Sequence, residues 1–532
     1  MDIINILDSN NIKHDMSGSY IVIQCPFCRK EDINGTPLGT FMIDPNSGRG
    51  SCGEAECNVT VGHESWLEKF GIISSETPKP RKKYPFKKRD KKSSDLVQPA
   101  PKKPAERIKK IEKLERVVSF PTWRDTIQSN FPTLVFPAEV AASVLAQILI
   151  TDITNPFALV FVDAPSSGKT MTINLFDGIK DITYPSDKFS PASFVSNATN
   201  VPKEELENID LLTKIRYKML LIRDLAVIFS KSEDGLNESL GLLTRVLDGQ
   251  GLNTDSGTHG QRHLSGDYLF MMLAASTPIR SRVWKVMGSI GSRLFFLNMH
   301  SIEKSEAELV AQITSTSTSS KENVCREMTK GFVESLWFHN PQGITWNMNG
   351  DKDEYKKIIG RCAKLLSRLR GVTNAWEKKV DDVQVIEFDP PIIENPDRIN
   401  QLLYNLCRGH AVVCGRTQLT TDDLRPAIEV TFDSAHILRV KLLRGLLDHD
   451  GVMKTHEVQS CLDCSKPTAL KQMEILRILR IAKIEVIDDD LVGGQEHEIR
   501  LSDDLVWFLS NECREIRGLA QVINKTGDGP TI

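Results

Sequence analysis

Lys169 and Thr170 close a run of small residues, Asp163-Ala164-Pro165-Ser166-Ser167-Gly168, that follows the apolar stretch Phe157 to Val162. This order suits polyphosphate chemistry. Pro165, Ser166, Ser167 and Gly168 let the backbone curl so that its N–H groups face an anion. Lys169 supplies charge for the outer phosphates, and Thr170 places a hydroxyl at a helix start, where it can join the coordination of Mg2+. A second apolar run, Met219 to Ile222, ends at Arg223-Asp224. Asp224 is the candidate for holding magnesium or orienting water, and a strand-end salt bridge with Arg223 or a neighbour is the alternative. A third run, Tyr268 to Ala275, ends in Ser276-Thr277-Pro278, where Thr277 could touch a γ-phosphate or the attacking water. Such groups need a scaffold that brings strand ends together. A parallel sheet does so, because its strand C-termini open beside the phosphate loop.

Cysteine chemistry marks the first seventy residues. Cys25-Pro26-Phe27-Cys28 and Cys52-Gly53-Glu54-Ala55-Glu56-Cys57 flank a segment of strand character around Thr40 to Ile43. Four thiolates at Cys25, Cys28, Cys52 and Cys57 suit tetrahedral Zn2+ in a closed, structural site. In so small a unit the metal would supply much of the folding free energy, on the order of 10 kcal/mol.

Further along, Arg293 follows a glycine-serine turn and precedes the strand-like LFFLN, and Arg398 opens the helical run INQLLYNLCRGHAVV. Arginines so placed can reach a neighbouring subunit's nucleotide and neutralise charge developing there. Between the second and third strands lies the glycine-rich DGQGLNTDSGTHGQRHLSGD, in which Arg262 and His263 are the candidates for DNA phosphates, a plain surface loop being the alternative. Beyond residue 434 the pattern of helix, short turn, helix, helix and two β-like segments around Gly493-Gly494 reads as a winged helix. Its second helix would begin at Thr455 and its third at Ser465 or Thr468, with Lys466, Lys471 and Arg477 free for phosphates; a protein-contact role is the alternative.

Taken in order, DAPSSGKT, LLIRD, AASTP, GSRLFF and DRINQLLYNLCRGHAVV resemble the Walker A loop, Walker B strand, sensor 1, arginine finger and sensor 2 helix of the AAA+ ATPases, within them the minichromosome maintenance helicases and their relatives on mobile elements. The resemblance spans about residues 120 to 433 and implies ATP, Mg2+, a hexameric ring and DNA unwinding. Asp163, Arg223 and Thr277 depart from the family pattern, where glycine, aspartate and asparagine are usual. The N-terminal order of CPFC, Gly35-Thr36-Pro37, TFMID, a cysteine knuckle and GHESWLEKFGI is similar to the zinc ribbon of bacterial and phage primases, which implies single-stranded DNA binding.

Length and composition frame these motifs. The chain has 532 residues, 40% apolar and 26% charged, and carries a formal net charge of −3. That length suits three or four domains, each with its own core. The starting sequence MDIINILDSNN lacks a secretory pattern and no uninterrupted apolar stretch suits a bilayer, so a cytoplasmic setting without a membrane partner is expected. The small net charge hides the basic segment KPRKKYPFKKRDKK at 79–92, which with its prolines predicts a flexible linker.

The predicted architecture is therefore an α/β P-loop AAA+ core with a helical lid, an N-terminal zinc ribbon and a C-terminal winged helix. The expected boundaries are ribbon 1–73, linker 74–117, ATPase core 118–300, lid 301–433, winged helix 434–511 and tail 512–532. The expected function is an ATP-dependent DNA helicase or translocase in replication of a mobile element or phage, with other replication proteins as further partners. The alternatives are an AAA+ initiator or helicase loader and a nonenzymatic DNA-binding regulator.

Overall fold

The computed structural model describes residues 3–10, 12–17, 20–25, 40–45, 50–52, 60–61, 67 and 107–519, the last apart from 188–189, 197–202, 257–259, 292, 301–303, 315–317, 381–382 and 490–493. The chain forms two units, Met1–Pro101 and Lys102–Ile532. Of the expected linker 74–117, residues 74–106 lie outside the described residues; its end is not a free tether, since Arg107 donates to the carbonyls of Ile148, Ile150, Thr151 and Ile153 and Ile108 is buried.

In the first unit five short strands form one antiparallel sheet in chain order: β1 His14–Ser17, β2 Tyr20–Gln24, β3 Thr40–Ile43, β4 Gly50–Cys52 and β5 Thr60–Val61. Alternation in YIVIQ and TFMI turns Ile21, Ile23, Phe41 and Ile43 inward against Ile3 and Leu7 of the helix Ile3–Ser9. The core is small, and Cys25 and Cys52 are buried within it.

The second unit is built on a five-stranded sheet of β6 Phe157–Val162, β7 Thr183–Pro185, β8 Met219–Ile222, β11 Met271–Ser276 and β12 Leu294–Asn298, with β9 Gly251–Ser256 and β10 Gly260–Ser265 forming a separate hairpin. The sheet order is β12-β6-β11-β8-β7 and every pairing is parallel. The runs FALVFV, MLLI and MMLAAS are nearly continuous in apolar residues because both faces of the sheet are covered. Odd positions Phe157, Leu159 and Phe161 enter one core, and Ala158 and Val160 enter the other. Helices 233–246 and 281–290 cover the second face through Leu236, Leu240, Leu243, Val283 and Val286.

The first face carries far more chain. Helix Asp397–Val413 lies against helix Val135–Ala146 so closely that a Cβ on Gly409 would come 2.0 Å from the carbonyl oxygen of Ser143. The run Pro132–Leu149 is long and apolar enough to cross a membrane, contrary to the sequence expectation, yet it is mostly buried as the packing partner of that helix. The same apolar cluster continues through helices 353–369 and 424–433 into the C-terminal elements, so the first face of the parallel sheet and those elements share one core rather than separate ones. Those last elements are helix Ile437–Asp448, β13 Val452–Lys454, helix Thr455–Leu462, helix Lys466–Ile478, β14 Ala482–Asp489 and β15 Gly494–Leu501, with strand order β13-β15-β14, all antiparallel.

A polar network pins the end of helix Asp397–Val413. His410 Nδ1 lies 2.7 Å from Asp423 Oδ1, which also accepts from Arg416 at 2.7 Å, while Asp423 Oδ2 takes the Thr420 N–H at 2.7 Å. Burial pushes the His410 pKa down, but the bonds to Asp423 and Cys414 outweigh it and raise the value to about 9. His410, Cys414 and Asp423 stand close enough to ligate a metal, but Arg416 and the imidazolium already occupy the carboxylate oxygen a cation would need.

Two outcomes follow from this packing. Gly409→Ala should cost about 3 kcal/mol or more, read as a lowered midpoint in denaturant unfolding, because backbone rather than a flexible side chain fills the space. Because the folded pKa of His410 is raised, its stabilising contribution is complete below pH about 6.5 and is lost as pH rises through about 9. Thermal scans between pH 6 and 10 should show that loss in the parent and a flatter profile in His410→Gln.

Candidate functional site

The phosphate loop lies where β6 ends. Its turn uses left-handed backbone at Ser166, φ 67°, and at Gly168, φ 92°, before the helix Lys169–Asn174 begins. Asp163, the unusual acid, turns its carboxylate back to accept the Ala164 N–H at 2.7 Å. The buried Lys169 ammonium donates to the carbonyls of Asp163 at 2.8 Å and Ala164 at 2.5 Å, and to Ser167 Oγ at 3.0 Å. Burial lowers its pKa, and the nearby carboxylates of Asp163 and Asp224 oppose that shift. Thr170 is exposed beside it.

Register places the other candidates. Val162 of β6 is level with Ser276 of β11, and Ile222 of β8 is level with Ala274, so Asp224 and Thr277 emerge at the same sheet end as the loop. Asp224 is exposed, with Oδ1 accepting the Ala226 N–H at 2.8 Å. Thr277 is also exposed, and β11 stands between β6 and β8. Arg223, which the sequence sets beside a magnesium position, points elsewhere. Its guanidinium bonds Asp187, Asp177 at 2.7 Å and Asn174 at 2.9 Å, and the Asp187 bond leads in holding its pKa up. The reversed charge is thus balanced locally by two carboxylates that no sequence spacing connects to it.

Arg293 and Arg398 lie at the other end of the sheet. Leu294 is level with Ala158, so Arg293 stands about five residues, or roughly 17 Å, along the strands from the phosphate loop. Arg293 Nε donates to Asp248 at 2.7 Å, and Arg293 and Arg398 both donate to the Gly291 carbonyl, at 3.2 and 3.3 Å. Burial lowers the Arg293 pKa and Arg398 lowers it further, against Asp248. Neither arginine can serve Lys169 of its own chain across that span. Asp248 and Gly291 were not singled out by the sequence, because only the fold brings the end of helix Glu233–Val246 beside β12.

The hairpin candidate divides. Arg262 is buried, with NH2 2.5 Å from Asp210 Oδ2, NH1 3.2 Å from Asp210 Oδ1 and a further bond to the Ser196 carbonyl. This corrects the expectation of a DNA-facing Arg262, since its donors tie the hairpin to the core. His263, next in β10, points outward with Nδ1 3.2 Å from Asn253. In the C-terminal elements a helix does begin at Thr455 and another at Lys466; Lys466 is exposed, Lys471 half-buried, and Arg477 pairs with Glu474.

The metal candidates are placed in part. Cys52 ends β4, opposite Phe41, and Cys25 follows Gln24, opposite Thr40, so both lie at one end of the small sheet, on either side of β3. Two buried thiols at one sheet end fit half of a tetrahedral thiolate set. Cys28 and Cys57 lie outside the described residues.

No protein-family model and no curated protein matches the chain. Among solved structures, an apo A form of the NrS-1 C-terminal region aligns over 86% of this chain and 94% of its own, at 12% identity and TM-score 0.28. A second apo structure of that region gives 86%, 95%, 10% and 0.27. The Aeropyrum pernix ORC1 protein in complex with DNA gives 73%, 94%, 14% and 0.20. At these TM-scores the likenesses are too coarse to carry function. This chain's own parallel sheet, with a phosphate loop at a strand C-terminus and helices on both faces, defines an α/β P-loop fold.

The Arg262 assignment has a direct check. Arg262→Ala should destabilise the protein by about 3–5 kcal/mol, because Asp210 is left buried and uncompensated. Urea unfolding should show that loss as a lowered midpoint.

Proposed function

We propose that this chain is a cytoplasmic, ATP-dependent DNA translocase or helicase of the AAA+ class that works in replication of a mobile element or phage as a ring, a hexamer of identical subunits. The observation that carries the reading is the division of the site. Lys169, Asp224 and Thr277 share one end of the sheet, while Arg293 and Arg398 meet at the other, which supports a reading in which they serve the nucleotide of a neighbouring molecule. In this reading the loop 165–170 binds the phosphates of ATP, with Lys169 leaving the carbonyls of Asp163 and Ala164 to meet them. Thr170 and Asp224 hold Mg2+, which neutralises phosphate charge when bound, and Asp224 or Thr277 orients water. Arg293 and Arg398 of one subunit neutralise charge on the nucleotide of the next.

The flanking parts supply DNA contacts. Cys25, Cys28, Cys52 and Cys57 hold Zn2+ in a ribbon that binds single strands. The C-terminal helices and antiparallel strands act as a winged helix through Lys466 and Lys471, and His263 is the hairpin's remaining contact. A second reading, an initiator or loader that remodels without unwinding, draws support from Arg223, which leaves Asp224 as the single acid on its strand end.

ATP turnover measured with and without single-stranded DNA tests the assignment. Stimulation by DNA is expected, with nucleotide binding lost in Lys169→Ala and kept in Asp224→Asn, whose kcat should fall at least about a hundredfold. Undiminished turnover in Asp224→Asn would remove that carboxylate from the chemistry, and turnover without strand displacement would favour the loader. Metal analysis should find one zinc per chain, lost in Cys25→Ser together with single-strand affinity.

A further inference from the structure

At the sheet end opposite Lys169, a cavity of 230 Å³ opens between helix Ser281–Ile290, the first residues of β12, the turn after helix Asp353–Leu369 and the start of helix Ile437–Asp448. Its lining mixes two kinds of residue. Trp284, Met287, Phe296, Val372 and Ile392 are apolar, and Ile392 is exposed. Arg370, Arg439 and the exposed Lys285 are basic, and Glu394 is the one carboxylate in the lining.

Arg439 differs from Arg370 in its partners. Arg439 donates from one terminal nitrogen to the carbonyls of Leu369 and Gly371, both at 2.7 Å. Among the described residues no carboxylate pairs with it, and burial pulls its pKa down to about 10. Among the described residues its Nε and second terminal nitrogen have no hydrogen-bond partner. Arg370 donates to the carbonyls of Ser434 at 3.0 Å and Leu294 at 2.5 Å and lies 3.9 Å from Glu394. His436 adds no negative charge. Burial, then Arg439, depress its pKa to about 4, and its neutral ring sits 2.8 Å from Ser281 Oγ. Because the His436 Nδ1 accepts the Leu438 N–H at 3.3 Å, its proton is on Nε2 and points at Ser281, so this pair is not set to activate a serine.

A half-buried guanidinium without a carboxylate favours a bound anion, and the apolar residues in the same lining select an anion with an apolar body. At a water's share of about 30 Å³, the volume suits roughly eight water-sized groups, the scale of a small aromatic anion. We propose that this cavity binds a small organic anion, an apolar body headed by a phosphate or carboxylate, at a site separate from the phosphate loop. The proposal stands on the cavity alone and does not depend on the chain being a motor.

Calorimetric titration of the full chain at low ionic strength with phenyl phosphate, benzoate and the uncharged benzyl alcohol tests it. At least one anion should bind, with benzyl alcohol weaker by about tenfold or more. Two variants at exposed lining residues spare the core: Ile392→Trp should block the cavity and weaken binding about tenfold or more, and Lys285→Glu should weaken it about threefold. Lys169→Ala should leave it unchanged. No binding of either anion, equal binding of benzyl alcohol, or binding that survives Ile392→Trp but disappears in Lys169→Ala would each overturn the proposal. The last result would assign the heat to the phosphate loop and leave the nucleotide reading intact.

Discussion

Burial of both faces of the parallel sheet is the constraint on which the rest depends. Strands β6, β8 and β11 are enclosed along their whole length, so no polar chemistry can sit along them and it is pushed to their two ends. One end gathers a phosphate loop, an aspartate and a threonine. The other gathers Arg293 and Arg398 on a single carbonyl. The proposed catalytic set is split by the length of a strand and cannot close within one molecule, and the proposed assembly rests on that separation more than on any single residue.

Arginine does most of the remaining work of holding these ends in place. Arg223 joins the helix of the phosphate loop to the segment after β7, and Arg262 ties the hairpin to Asp210. Arg408, fully buried, bonds Asp152 at 2.7 Å and stacks over Tyr404, fixing helix Asp397–Val413 to the start of the sheet layer. Planar guanidinia with several donors suit such junctions, where carbonyls and carboxylates from separate elements meet. The cost is that a basic residue in the sequence is an ambiguous sign of nucleic-acid contact.

That ambiguity marks what the sequence could convey. The strands β6, β8, β11 and β12 were legible because unbroken apolar runs of strand length bounded by Gly, Ser and charge have few other uses, and the positions of Lys169, Asp224 and Thr277 follow from parallel register. The helices at Thr455 and Lys466 were legible from apolar spacing and a serine start. Arg262 was misread because nothing local distinguishes a hairpin arginine facing solvent from one facing Asp210, fifty-two positions earlier. The single core joining the sheet to the C-terminal elements was likewise invisible, since composition describes how much apolar surface exists but not whether its patches meet.

The division of the site between molecules is tested most directly by mixing two inactive variants, Lys169→Ala and Arg293→Ala, and measuring ATP turnover. In mixed assemblies some interfaces pair an intact loop with an intact arginine, so turnover should reappear and depend on the mixing ratio. Mixtures as inactive as the separate variants, or an Arg293→Ala protein that hydrolyses ATP at the parent rate, would contradict the account.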